Sequence, residues 1–351
     1  MTQLGARKSV GAVVADHLPT PATGRVPRWL RSLLDRPSIG MLVVLILLLA
    51  VFSLLRPHAF LGTYNIRNIA LAAAVIGVVA VGQTFVLATG GIDLSVGSVL
   101  VFSTVVSAKV MTAMGGTDAG WGTTAVGIVV CVAAGAFWGL VSGLIVTYLR
   151  VPPLIATLGT LGMALGAAQI LTGGLDIHSV PSVMTNQIGY ENIVGIPLLV
   201  VIAAVVALIA GLVLWQTGFG THTKAIGSNR EGALRAGIAV RRHLVSIYLV
   251  SGALAGVGGV MSLAQFSTTT IGGHTGDNLT TIAGAVLGGT SLFGGVATIF
   301  GTVVGILVPV TLQSGFVIVN VQPFWQTFAV GAVLVIAVFV DQVRRGGQNR
   351  R

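Results

Sequence analysis

The apolar run from Ile66 to Ala88 is long enough to cross a bilayer, and a second begins at Val99. Between them lies Gly90-Gly91-Ile92-Asp93-Leu94-Ser95-Val96-Gly97-Ser98. A spanning helix needs about 20 apolar residues, so this nonapeptide sits where a membrane helix has to break. The glycine pair stops one helix, and Asp93 or Ser95 is placed to cap the amides opening the next. Two readings of the break stand. Backbone leaving its helix at membrane depth is tolerated only against protein or a water-filled cavity, which makes Asp93, Ser95 and Ser98 candidates for a translocation path or its gate. A cytoplasmic turn carrying a helix cap explains Asp93 equally well.

Charged residues make up 8% of the chain and hydrophobic ones 54%, far from the roughly 25% charged of soluble domains. The fold class is therefore an all-α polytopic membrane protein. The 49 glycines suit it, because small residues let membrane helices approach closely and break where function needs a break. A single cysteine, Cys131, excludes an internal disulfide, and its apolar neighbours mark it as a packed side chain. The net charge of +10 does not point to nucleic acid, because the bases flank apolar runs and follow membrane topology.

Residues 1–37 form a basic tail with Arg7, Lys8, Arg25, Arg28, Arg31 and Arg36 and no spanning run; a largely disordered cytoplasmic segment is expected. A cleaved signal peptide does not fit, since no apolar core follows the first basic residues closely. The membrane domain, 38–343, holds apolar spans at about 39–55, 66–88, 95–114, 122–148, 153–173, 196–216, 243–264, 279–299, 300–319 and 323–340. About ten transmembrane helices follow, with broken or reentrant segments expected at 90–98 and 279–319, where Gly288-Gly289, Gly294-Gly295 and Gly301 punctuate the run. With both termini cytoplasmic, every lysine and arginine except Arg56, Arg67 and Lys109 falls inside, as the positive-inside rule requires. The tail 344–351 is then cytoplasmic. The same count puts residues 90–98 toward the cytoplasmic end of the second span, where a gate or helix break suits Asp93 better than solute binding.

The one sizeable cytoplasmic loop, 217–242, contains Ala225-Ile226-Gly227-Ser228-Asn229-Arg230-Glu231-Gly232-Ala233-Leu234-Arg235-Ala236-Gly237-Ile238. It reads as containing a short amphipathic helix, capped by Ser228 or Asn229, favoured at its positive end by Glu231 and closed by Gly237 in the left-handed conformation. Its small residues with Leu234 and Ile238 make a compact knob for a cytoplasmic partner; a helix lying on the membrane with its arginines among lipid phosphates is the alternative. Arg150-Val151-Pro152-Pro153 opens another helix, on which Thr157 and Thr160 share a face. Those threonines either bond back to their own helix or line the path with Pro153. The most polar outer loop carries Thr268, Thr269, Thr270, His274, Asp277 and Asn278. It fits a solute entrance, a docking surface for an external protein, or a plain solvated loop; His274 alone makes no metal site.

Energy-coupling signatures are missing. None of Lys8, Lys109 and Lys224 lies in the phosphate-loop pattern, and Asp93 is the only acid near the membrane interior, too few for a proton relay. The chain is read as no enzyme, and any work against a gradient needs another chain.

The motifs at 90–98 and 151–160, with Phe219-Gly220, the 225–238 loop, Ser251-Gly252 and Ile282 through Gly295, resemble the permease subunits of bacterial ribose-type carbohydrate ABC importers over roughly residues 40–343. The resemblance implies a ten-helix permease of the bacterial cytoplasmic (inner) membrane. It implies a second permease copy or paralogue, a cytoplasmic ATP-binding subunit that holds ATP and Mg2+, and an extracytoplasmic solute-binding protein. The chain itself needs no cofactor. By the same analogy Ala225, Gly227, Ser228, Asn229, Glu231, Ala233, Leu234, Gly237 and Ile238 form the coupling segment, and His274, Asp277 and Asn278 lie at the entrance or binding-protein face. This chain has Gly232-Ala233 where the family often has two alanines, and Asn278 where an acid commonly precedes the leucine. A same-architecture permease for a signalling furanone, a nucleoside or a branched-chain amino acid, and a secondary carrier, are the competing functions.

Overall fold

The structure is a computed structural model that describes residues 37–348; the readings made for the two tails therefore lie largely outside the described residues. The long helices are α1 (Pro37–Leu55), α2 (Thr63–Ala88), α3 (Val96–Ala113), α4 (Trp121–Thr147), α5 (Pro153–Thr172) and α6 (Leu198–Gln216), followed after two short helices, α7 (Gly218–Ser228) and α8 (Arg230–Arg235), by α9 (Val240–Phe266), α10 (Asp277–Leu287), α11 (Ile299–Ile318) and α12 (Pro323–Gln348). Among the described residues seven helices are long and apolar enough to cross a membrane, namely α2 to α6, α9 and α11, and shorter apolar stretches occupy Met41–Leu55 and Phe324–Ile336.

The run at 279–299 is not a full span. Its helix, α10, covers 11 residues, about 16 Å at the helical rise, or half the ~30 Å hydrocarbon thickness. The chain then runs irregularly to Thr298, with Gly289, Gly294 and Gly295 at positive φ, so the glycines that punctuate the sequence do break the helix. The half-helix is held by close approach to α11. A Cβ at Gly305 would overlap the Gly284 carbonyl, and one at Gly301 the Gly288 carbonyl.

Helices α2, α3 and α9 are the buried centre, and α6 is mostly exposed along its length. The seam of α4 against α9 is a run of glycines four apart. Gly135, Gly139 and Gly143 face Tyr248, Gly252 and Gly256 so closely that a Cβ at Gly139 would overlap the Tyr248 carbonyl. In a membrane, where apolar burial gives helices no reason to associate, such small-residue seams supply the packing. Cys131 is buried in the same seam, its thiol 3.3 Å from the Gly256 carbonyl. On the outer side a two-residue hairpin pairs Asn192–Ile193 with Ile196–Pro197. Its turn puts both Val194 and Gly195 at positive φ, the type I′ geometry, although valine gives no sequence signal for it.

Candidate translocation and coupling site

The break after α2 is built from its glycines. Gly90 adopts φ 77°, and the amides of Gly90 and Gly91 return to Leu87 and Val86 at 2.8 and 3.2 Å, which closes the helix. The chain then turns back along α2. With its amide oriented to satisfy both partners, Gln83 accepts from the Asp93 N–H at 3.2 Å and donates to the Asp93 carbonyl at 3.1 Å. Gln83 thus replaces the helical partners that this residue lacks. The Asp93 carboxylate accepts from the Ser95 N–H at 2.9 Å and the Ser95 hydroxyl at 2.6 Å through Oδ1, and from the Ser251 hydroxyl at 3.2 Å through Oδ2. Ser95 occupies the cap position of α3 but makes no side-chain cap bond; its hydroxyl is turned to Asp93 instead. Ser98 is buried in the first turn of α3.

Gln83 lies five residues before the end of α2, about 8 Å along the helix, so Asp93 stays toward that end of the second span. Only Gly90 stands at the helix end, while Asp93 lies level with Gln83 and with Ser251, which is about 16 Å along α9 from its start. Asp93, Ser95, Ser251 and Gln83 are all buried. Among the described residues no lysine or arginine pairs with Asp93.

Pro152 and Pro153 open α5 after Arg150, which holds a left-handed φ of 57°. Thr157 bonds back to the Pro153 carbonyl at 2.9 Å and reaches the Ile92 carbonyl at 3.2 Å. Thr160 accepts from Ser142 on α4 at 3.0 Å. Both threonines are fully buried, so within this chain they tie α5 to the break and to α4 and do not line an open channel. The face of α5 left open carries the exposed Leu158 and the glycines 159, 162 and 166, at each of which an added Cβ would meet nothing within 4 Å.

The 225–238 stretch holds the short capped helix the sequence predicts, α8, preceded by the end of α7. Ala225, Gly227 and Ser228 end α7, and Asn229 starts α8, its Oδ1 accepting from the Gly232 N–H at 2.8 Å; Ser228 is not the cap. Gly237 follows at φ 81°, as its position predicts. Ala233 is buried on Ile226, Val240 and Leu244, with Ile238 packed against them. The outer face offers Arg230, Leu234, which is 54% exposed, and the Glu231–Arg235 ion pair at 2.6 Å. Behind this face, α7 meets both breaks. A Cβ at Gly227 would overlap the Ala88 carbonyl, that same carbonyl accepts from the Gly295 N–H at 2.9 Å, and a Cβ at Gly294 would come within 2.7 Å of the Gly90 nitrogen. The three glycine-bearing motifs converge on one point.

The residues expected at the outer face are placed inside. His274 and Asn278 are buried, so neither offers a surface to an external protein. His274 stands 2.9 Å from the Ser262 hydroxyl and 2.7 Å from the Asp277 carboxylate, while Asn278 accepts from the Gly97 N–H at 2.8 Å. The loop around them is closed by Asp176, which accepts from Thr269 at 3.2 Å and from the Ile271 N–H at 2.9 Å. The loop folds on itself and pairs most of its polar groups internally, the buried Thr270 hydroxyl excepted, so polarity alone does not mark these side chains as surface ones.

Gln83 and Tyr248 belong to the site and escaped the sequence reading, and Ser251 entered it only within the Ser251-Gly252 motif, with no role. Gln83 had a signal, as a lone amide in an otherwise apolar stretch. Tyr248 had none, and the place of Ser251 at the break follows from the close packing of α9 on Gly82 of α2.

Buried polar groups gathered at a broken membrane helix, joined at one end to a short cytoplasmic helix pair, define a membrane permease. The chain belongs to the family described as branched-chain amino acid transport system / permease component, whose model matches residues 65–338. It is 35% identical over 330 residues to the L-arabinose ABC transporter permease protein of Azospirillum brasilense, covering 94% of each chain. With the D-allose transport system permease protein of Escherichia coli K12 it shares 32% identity over 304 residues, 87% of this chain and 91% of the relative. With the ribose import permease protein of Bacillus subtilis the figures are 34% over 310 residues, 87% and 92%. No solved structure matches the chain.

Proposed function

We propose that this chain is the translocation subunit of an ABC importer for a monosaccharide, in the bacterial cytoplasmic membrane, working with a separate ATPase that holds ATP and Mg2+. The observation that carries the coupling is the backbone contact of α7 with both helix breaks. A partner seated on Arg230, Glu231, Leu234 and Arg235 would push α8 and, through α7, the turn at Gly90 and the loop at Gly294–Gly295. The buried carboxylate at Asp93 then serves as a latch between α9 and the start of α3, opening and closing the path without chemistry on the solute. Ten spans with both termini cytoplasmic accommodate the arginine distribution, α10 and the loop behind it forming one broken pass. A second permease copy completes the path along the open face of α5, and an extracytoplasmic binding protein delivers the solute.

The pentose and hexose permeases named above support a sugar, whereas the family description names branched-chain amino acids. Reconstitution with the ATPase and binding protein decides between them. Stimulation of ATP hydrolysis and uptake by a monosaccharide is expected; stimulation by leucine, isoleucine or valine and by no sugar would replace the carbohydrate reading.

A further inference from the structure

The cytoplasmic ends of α2, α4, α5 and α9 enclose, with α8, a cavity of about 570 Å3, a size that suits a small ligand or headgroup. Arg150, Arg230 and Arg241 stand around it, and no aspartate or glutamate lines it. Among the described residues none of the three arginines has an ion-pair partner. Tyr248 also borders the cavity, but it is 1% exposed, and its hydroxyl is closed off from the space and lies in the field of the buried Asp93 carboxylate. Three guanidinium groups without ion-pair partners border a space whose lining carries no carboxylate.

We infer that this cavity binds the phosphate of an anionic phospholipid from the cytoplasmic leaflet. Guanidinium forks match phosphate oxygens in pairs, and basic pockets between membrane helices on the cytoplasmic side take such headgroups. The segments next to the cavity favour lipid over an acidic side chain of a soluble partner. Tyr148, Leu149, Leu154 and Ile155, which flank Arg150 and the two prolines, are all at least half exposed, giving acyl chains an apolar surface beside the charged one. A soluble acidic peptide would neutralise the arginines and leave that surface bare.

The test uses the full chain, purified in detergent and read by native mass spectrometry and thermal unfolding, with phosphatidylglycerol as probe and phosphatidylcholine and inorganic phosphate as comparators. Retention of phosphatidylglycerol and stabilisation by it alone are expected. The double variant R150Q/R241Q weakens phosphatidylglycerol binding about 30-fold, at roughly fivefold per arginine, whereas Lys109→Gln at the outer end of α3 leaves it unchanged. The single variant Arg150→Gln weakens it about fivefold and keeps the claim testable if the double variant does not fold. Equal retention of phosphatidylcholine, equal stabilisation by inorganic phosphate, or unchanged phosphatidylglycerol binding in Arg150→Gln would overturn it. So would arginine variants that keep the lipid and lose only the ATPase, since the cavity would then belong to a protein partner.

Discussion

Replacing Asp93 separates hydrogen bonding from charge at the helix break. Asp93→Ala removes the acceptor of the Ser95 N–H and of two hydroxyls. The hydroxyls can rotate to other acceptors, but the Ser95 amide is buried and fixed. One orphaned buried donor costs about 1–3 kcal/mol, and loss of two further bonds to the carboxylate brings the total to about 3 kcal/mol. Asp93→Asn keeps Oδ1 for both Ser95 donors and offers Ser251 an amide N–H in place of Oδ2, so its cost stays below about 1 kcal/mol. Denaturant titration in detergent measures both values. Uptake in proteoliposomes containing the ATPase and binding protein then measures function: Asp93→Ala slows transport of every sugar by a similar factor and leaves their order unchanged. An alanine variant as stable as the parent would remove the hydrogen-bond argument, an asparagine variant as damaging as alanine would assign the role to charge, and a changed sugar order would make Asp93 a solute ligand.

Gly91→Ala places a Cβ 2.9 Å from the Tyr248 hydroxyl oxygen and costs about 1–2 kcal/mol by overpacking; adding Tyr248→Phe removes the obstructing oxygen, and a double-mutant cycle that shows no relief contradicts the packing. Gly237→Val, with open space around it but φ at 81°, loses about 1–2 kcal/mol to left-handed strain and uncouples ATP hydrolysis from uptake, while Gly237→Asn retains coupling; normal uptake in the valine variant removes the segment from the mechanism. Leu234→Asp, on the exposed face of α8, abolishes copurification of the ATPase with unchanged unfolding of the permease alone, and intact association would place the partner elsewhere. Asn278→Ala leaves the Gly97 N–H without its acceptor and destabilises by about 1–3 kcal/mol, measured by the same titration, which a surface role for Asn278 does not predict.

Much of the membrane architecture was legible because apolar length and helix punctuation are local properties. The runs ending at Leu55, Ala88 and Gln216 stop close to where their sequence breakers stand, and Asn229 and Gly237 bound α8 as cap residues should. What escaped was non-local. Ala225 to Ile238 is helical in pattern throughout, yet Gly227 sits under the Ala88 carbonyl, and that contact fixes where α7 ends and the chain turns. The doubling back of the chain along Gln83 after the break could not be read from the charge count, which assumes each span runs straight from face to face. His274 and Asn278 look like surface residues by type, and only the approach of Gly97 shows that they are interior ones.

The meeting of Gly90, Gly227 and Gly294 is made almost wholly of main chain. Such a joint carries no side-chain identity beyond the requirement that none be present, so its shape does not depend on what the helices around it are lined with. Side chains elsewhere in the membrane domain can therefore change while the main-chain shape of this joint is kept, which separates the lining of a path from the geometry of its breaks.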